Sequence, residues 1–118
     1  MKLLHCGDFH FNRPLTCLDS EKIAAVRREE HFEAFRKTAK MAEDCDAMLI
    51  SGDLFDNTHY DPKLTEKLMD CLKAVPRVFI APGNHDPYTV NSVYDKYAFP
   101  DNVHVFRGQI EAVDCGEF

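Results

Sequence analysis

Three short stretches of this chain gather side chains that can hold a cation or move a proton: GDFH at 7–10, GDLFD at 52–56 and GNHD at 83–86. Their carboxylate, imidazole and amide groups offer the mixture of oxygen and nitrogen donors that divalent metals take. Asp8 and His10 stand two residues apart, so an extended backbone would point both the same way, as two ligands of one ion require. Asp53 and Asp56 close an apolar run, where a single turn aspartate bonding nearby amides would suffice. Gly83-Asn84 is a turn dipeptide, but a turn gains nothing from His85 and Asp86. Each stretch alone is compatible with an ordinary loop. Acids gathered at one point, however, repel one another and raise their own pKa values unless a cation neutralises them. A cluster of divalent metals accounts for all three at once. Manganese suits the mixed ligands best, with iron or zinc as competitors and magnesium disfavoured by histidine.

The order of elements is what could bring the three stretches together. LLHC at 3–6, DAMLI at 46–50 and VFIA at 78–81 are apolar runs of strand length, each followed at once by glycine, serine or proline. Between the first two, Ile23, Val26, Phe32, Phe35, Ala39 and Ala42 recur at helical spacing after Ser20, a good N-cap. Between the second and third, Asp61 caps a helix that starts with Pro62, shows Leu64, Leu68 and Leu72 on one face, and ends before Pro76. Strand, helix, strand, helix, strand predicts an α/β fold with parallel strands and right-handed crossovers. In such folds ligands sit beyond the carboxyl ends of the strands, where all three polar stretches fall. Past residue 87 the pattern weakens: VNSVYDKYAF reads as a short helix, VHVF at 103–106 and QIEAV at 109–113 as strands.

A chain of 118 residues, 45% hydrophobic and 29% charged, fits one small domain. Its formal charge of -6 would repel a phosphate backbone unless charges are segregated or cations bind. The five cysteines are scattered without a CxxC pair, and no signal peptide precedes them, which points to free thiols in the cytoplasm. No stretch approaches the roughly 20 apolar residues of a membrane helix. Arg27, Arg28, Arg36, Lys37 and Lys40 interleave with Glu29, Glu30 and Glu33 as a solvated helix face does. Tyr88, Tyr94 and Tyr97 read as packing residues. His5, His31 and His104 fit structural places. His59, in the loop after GDLFDN, is the remaining histidine placed to touch substrate, together with Asn57.

In this order, D-x-H, G-D-x-x-D and G-N-H-D resemble the calcineurin-like metallophosphoesterases. Within that group, GDFHFNRPL, RREEHFEAF, LISGDLFDN and APGNHDP are similar to the SbcD-type DNA repair exonuclease subunits. Protein serine/threonine phosphatases differ, their second motif resembling GDxxDRG and their third GNHE. The resemblance implies an α/β metallophosphoesterase sandwich, sheet layers flanked by helices, of which residues 1–118 would be the amino-terminal part. It implies that Asp8 and His10 bind a first divalent ion, that Asp53 bridges to a second, and that Asn84 binds the second. His85 would be the proton donor or transition-state contact, and Asp56 its orienting partner. Two ions about 3.5 to 4 Å apart would share a hydroxide for in-line attack on a phosphodiester. The implied partners are DNA and an SbcC-type coiled-coil ATPase. Further metal-binding histidines of the family, one isolated and others in a G-H-x-H-like motif, do not occur before Phe118. A missing half would leave apolar sheet surface open, so self-association is expected. Two other readings stand beside the nuclease. One is a small-molecule phosphatase or cyclic-nucleotide phosphodiesterase on the same scaffold, the other a catalytically incompetent fragment that only binds metal or a partner.

Overall fold

A computed structural model describes residues 1–14, 20–57 and 59–116. Cys17, Thr58 and the last residue of GDFHFNRPL lie outside them. Strands β1 (Leu3–Cys6), β2 (Ala47–Ser51), β3 (Val78–Ala81) and β4 (Val103–Val105) form one sheet in the order β1-β2-β3-β4. Every neighbouring pair is parallel, with Leu3 opposite Ala47, Met48 opposite Val78, and Val78 opposite Val103. The crossovers carry helices α1 (Glu21–Ala42), α2 (Pro62–Leu72) and the short α3 (Val93–Lys96). The expected α/β class with parallel strands is therefore what the chain adopts. QIEAV at 109–113 forms no strand. Its Ile110 is fully exposed and Val113 is 38% exposed, so among the described residues no apolar contact holds the segment to the sheet.

Side-chain alternation sends Met48, Ile50, Val78, Ile80 and Val103 to the face that packs on the helices, where they meet Phe35, Ala39, Ala42, Leu68, Met69 and Leu72. Most of these are sealed from solvent. The opposite face carries Leu3, His5, Leu49, Phe79 and His104, with His104 set between the rings of Phe79 and Phe106. Leu3 and His5 on it are exposed.

Capping defines both long helices. The Ser20 hydroxyl accepts from the Ile23 amide at 3.2 Å, and one Asp61 carboxylate oxygen accepts from the Lys63 and Leu64 amides at 3.1 Å each. At the other end of α2, the Asn102 amide donates to the carbonyls of Leu72 and Val75, tying the helix exit to the approach of β4.

The buried stripe of α1 is narrower than its periodicity predicts. It buries Ala24, Phe35, Ala39 and Ala42, while Ile23 and Val26 stay 43% and 51% exposed. The reason is length. At about 1.5 Å per residue its 22 residues reach roughly 33 Å, whereas strands of four or five residues span about 13–17 Å. The first turns of α1 therefore overhang the carboxyl edge of the sheet.

Candidate metal centre

Past the ends of β1 and β2 the two chains stay side by side. The Asp8 amide donates to the Gly52 carbonyl at 3.0 Å, His10 to Asp53 at 2.9 Å, Phe11 to Leu54 at 2.9 Å, and Asp56 back to Phe11 at 2.7 Å. A bridge between Phe11 and Phe55 continues the parallel pairing, and both rings are buried. The backbone is not extended here, as the two-residue spacing of Asp8 and His10 suggested. Asp8, His10, Asn12 and Asp53 take positive φ of 58°, 53°, 69° and 53°. Aspartate, asparagine and histidine are the non-glycine residues that enter this region most readily. Left-handed residues placed alternately bend the strand ends while their amides keep bonding across, and the His10 ring still lies between the Asp8 and Asp53 carboxylates.

The third loop is fastened by one buried acid. Asp86 is 1% exposed, and its carboxylate accepts from the amides of Asp53 at 3.2 Å, Phe55 at 3.0 Å and Gly83 at 2.7 Å, and from the Tyr94 hydroxyl. One side chain thus joins the loop after β2, the loop after β3 and helix α3. Burial, with the Asp86 charge beside it, pushes the Tyr94 hydroxyl far above its ordinary pKa, so it remains a donor. Gly83 lets the loops touch: a Cβ there would sit 2.2 Å from the Asp53 carboxylate and 2.6 Å from its amide.

At the meeting point, Asp53 Oδ2 lies 3.0 Å from His85 Nδ1 and 3.8 Å from His10 Nε2. His10 Nε2 is also 3.8 Å from Asp8 Oδ1. One donor atom each from His10, Asp53 and His85 falls within 4.8 Å of the others. The two imidazole rings meet edge to face at 5.0 Å. Burial pushes the Asp53 carboxyl up, but hydrogen bonds from the His85 amide and ring, with electrostatic attraction to His85 and His10, outweigh it and hold the group below the usual carboxylate range. An ionised, buried carboxylate facing two imidazoles fits a divalent cation by donor type and by convergence.

Asp56 does not orient His85. Its Oδ1 lies 2.9 Å from His10 Nδ1, because pairing of the first two loops sets Asp56 against the His10 ring. That bond leaves His10 Nε2 with its lone pair toward the centre, the carboxylate–histidine arrangement common behind metal ligands. His85 is held by Asp53 instead, through both ring and amide. Asn84 is exposed in the same loop, one residue before His85. The Asn57 side chain spends both its ends on loop structure, donating to the Asn12 carbonyl at 3.2 Å and accepting from the His59 amide at 2.9 Å. His59 is exposed beside it. Sequence reasoning noted Asp86 in the third stretch and Tyr94 as a packing residue, but gave neither a role in holding the loops. Asp86 closes the GNHD stretch, but only its burial tells it from a turn aspartate.

The sequence matches the calcineurin-like phosphoesterases over residues 1–115. With that match and this loop geometry, the chain belongs to the calcineurin-like phosphoesterase family, whose chemistry is metal-dependent phosphoester hydrolysis and whose cofactors are divalent metals. Comparison with curated proteins gives no match. Among the described residues, no helix is long and apolar enough to cross a membrane.

Proposed function

We propose that the chain carries the metal-binding loops of a manganese-dependent DNA exonuclease of the SbcD type, cytoplasmic and working with a coiled-coil ATPase. Support for a nuclease over a protein phosphatase comes from Asn57 after Asp56 and from Asp86, where phosphatase motifs have Arg-Gly and glutamate. The observation that carries the reading is the placing of His10, Asp53 and His85 around one point, each fixed by its own protein partner.

In this mechanism Asp8, His10, Asp53 and Asn84 would hold the divalent ions. Manganese bound there would supply an activated water and neutralise charge on the phosphoryl oxygens. Asp53 also orients His85: with Nδ1–H donated to the carboxylate, the doubly protonated ring presents Nε2–H outward and half exposed, where it can give that proton to the departing sugar oxygen and be left neutral. Asp56 keeps His10 in the tautomer that offers Nε2.

The test is hydrolysis of bis(4-nitrophenyl) phosphate and of linear DNA with manganese, by this chain and by Asp53→Asn. Cleavage of both substrates, lowered at least about 100-fold by the substitution, supports the nuclease. Cleavage of the small diester with DNA untouched refutes the DNA reading in favour of a small-molecule phosphodiesterase. Failure on both, with no manganese uptake by calorimetry, refutes the enzyme reading altogether.

A further inference from the structure

We propose that the cavity beside the metal centre, between the first turns of α1, the start of α2 and the loop after β1, is a nucleotide subsite. It would hold the base and phosphate adjoining the phosphodiester under attack. The proposal rests on the phosphodiesterase reading above and adds a place for the substrate's flanking residue.

The cavity has a volume of about 670 Å³, inside the range of roughly 300–1,000 Å³ usual for ligand sites. Asp8 and His10 form one of its walls, so whatever occupies it is contiguous with the metal centre. Arg13, Arg27, Arg28, Lys63 and Lys67 also line it, from the loop after β1, α1 and α2. Against Asp8, Glu29 and Asp61 these five cations leave the lining net positive in a chain whose net charge is -6. The lining acids offset them in part only. Asp61 spends its carboxylate capping α2, and Glu29 stands 4.0 Å from Lys67. Arg27 and Arg28 pair with Glu30 and Glu21, neither of which lines the cavity. Among the described residues, Arg13 and Lys63 are in no ion pair.

The floor is aromatic. Phe9 and Phe32 line it, half-buried; Lys67 Nζ lies 3.8 Å over the Phe32 ring, and His31 stacks on Phe11 at 4.2 Å between ring centroids, so Phe9 and His31 are the rings a base would meet. Burial lowers the His31 pKa against a smaller upward pull from the Phe9 backbone, which favours the neutral ring. Cations around an apolar aromatic floor match the two parts of a nucleotide, phosphate and base, and base stacking on such rings contributes about 1–3 kcal/mol. A solvated helix face, the reading given to Arg27 and Arg28 by charge alternation, does not converge in this way. The overhang of α1 beyond the sheet is what turns their side of the helix into a wall.

The experiment is a fluorescence-anisotropy titration of 5′-fluorescein-labelled tetrathymidylate in EDTA, at several salt concentrations. Without metal it reads the subsite independently of hydrolysis, so failure of the nuclease reading and failure of this one give different results. Wild-type chain should bind, and Arg13→Glu with Lys63→Glu should weaken binding at least tenfold and lower the salt slope by roughly 1.4, two contacts at about 0.7 each. Lys37→Glu with Lys96→Glu makes the same charge change on exposed positions outside the cavity and should bind as wild type does. Thermal melts of all three proteins should coincide. Thymidine 5′-monophosphate should compete better than inorganic phosphate. No binding by the wild type, equal weakening by both variant pairs, or competition by phosphate equal to that by the nucleotide would each overturn the proposal.

Discussion

Replacing Asp86 with asparagine exchanges one side-chain oxygen for an NH2 group and should cost the fold several kcal/mol. The carboxylate accepts four hydrogen bonds with both oxygens, Oδ1 from the Asp53 and Gly83 amides, Oδ2 from the Phe55 amide and the Tyr94 hydroxyl. In the least costly orientation asparagine keeps its oxygen at the Oδ1 position, and its NH2 then faces Phe55 N–H. Tyr94 can turn its hydroxyl to accept, but the Phe55 amide cannot, and an unsatisfied buried donor costs about 1–3 kcal/mol. Loss of charge on the remaining bonds adds comparable amounts, for a total of about 3–5 kcal/mol. Small domains have roughly 5–15 kcal/mol in hand. At an m-value near 1.5 kcal/mol/M, the urea midpoint should therefore fall by about 2–3 M. Manganese affinity should drop about 10–100-fold, since Asp86 fixes the backbone that carries Asp53. Urea unfolding followed by circular dichroism, with calorimetry for the metal, gives both numbers. A midpoint within about 0.5 M of wild type at unchanged m would refute Asp86 as the joint between the loops.

Gly83→Ala puts a methyl 2.2 Å from the Asp53 carboxylate, so the two loops must part; manganese binding should be lost in calorimetry, and retention of wild-type affinity would count against the close approach. Tyr94→Phe removes one charge-assisted bond and should cost about 1.5–3 kcal/mol in urea unfolding. In an Asp86→Asn background that cost should shrink, because the two side chains share the bond, and strict additivity would contradict their coupling. Burial raises the Cys6 thiol from 9.0 to about 11. At pH 8 its alkylation by iodoacetamide, followed by peptide mapping, should run about 100-fold slower than in the urea-unfolded chain. Because the folded pKa lies above the unfolded one, the Cys6 contribution to stability is whole below about pH 9 and lost as pH climbs toward 11. Equal alkylation rates in the folded and unfolded chain would refute the shift.

What was legible in the sequence follows from which forces act locally. Strands β1 and β3 could be read to the residue, since short apolar runs stopped by glycine or proline leave little freedom, and β2 moved by one residue only. Its first expected residue, Asp46, instead accepts a hydrogen bond from the Lys2 amide. Both N-caps were legible because Ser20 and Asp61 bond amides two or three residues away. The exposed Ile23 and Val26 were not, because helical spacing reports a face without reporting how far the sheet beneath it reaches. The partner of Asp56 was hidden for a similar reason. Spacing brings acids and histidines to one sheet edge, but which carboxylate meets which ring depends on the lateral register of two loops, and that is set by amide bonds between residues more than forty positions apart.

The same dependence on backbone explains how the centre divides. Asp53 and His10 are held on several sides, by Asp86 beneath, by the loop-to-loop amide bonds and by Asp56, so their donors meet a cation with little rearrangement left to make. Asp8 reaches the site from an open flank, its side chain 76% exposed, and Asn84 is likewise exposed. Preorganisation lowers the cost of binding where it exists, so the His10 and Asp53 side should fill with manganese first and the Asn84 side later. Asp8 also lines the cationic cavity, so a phosphate bound there would lie beside the ligand that the chain itself holds loosely.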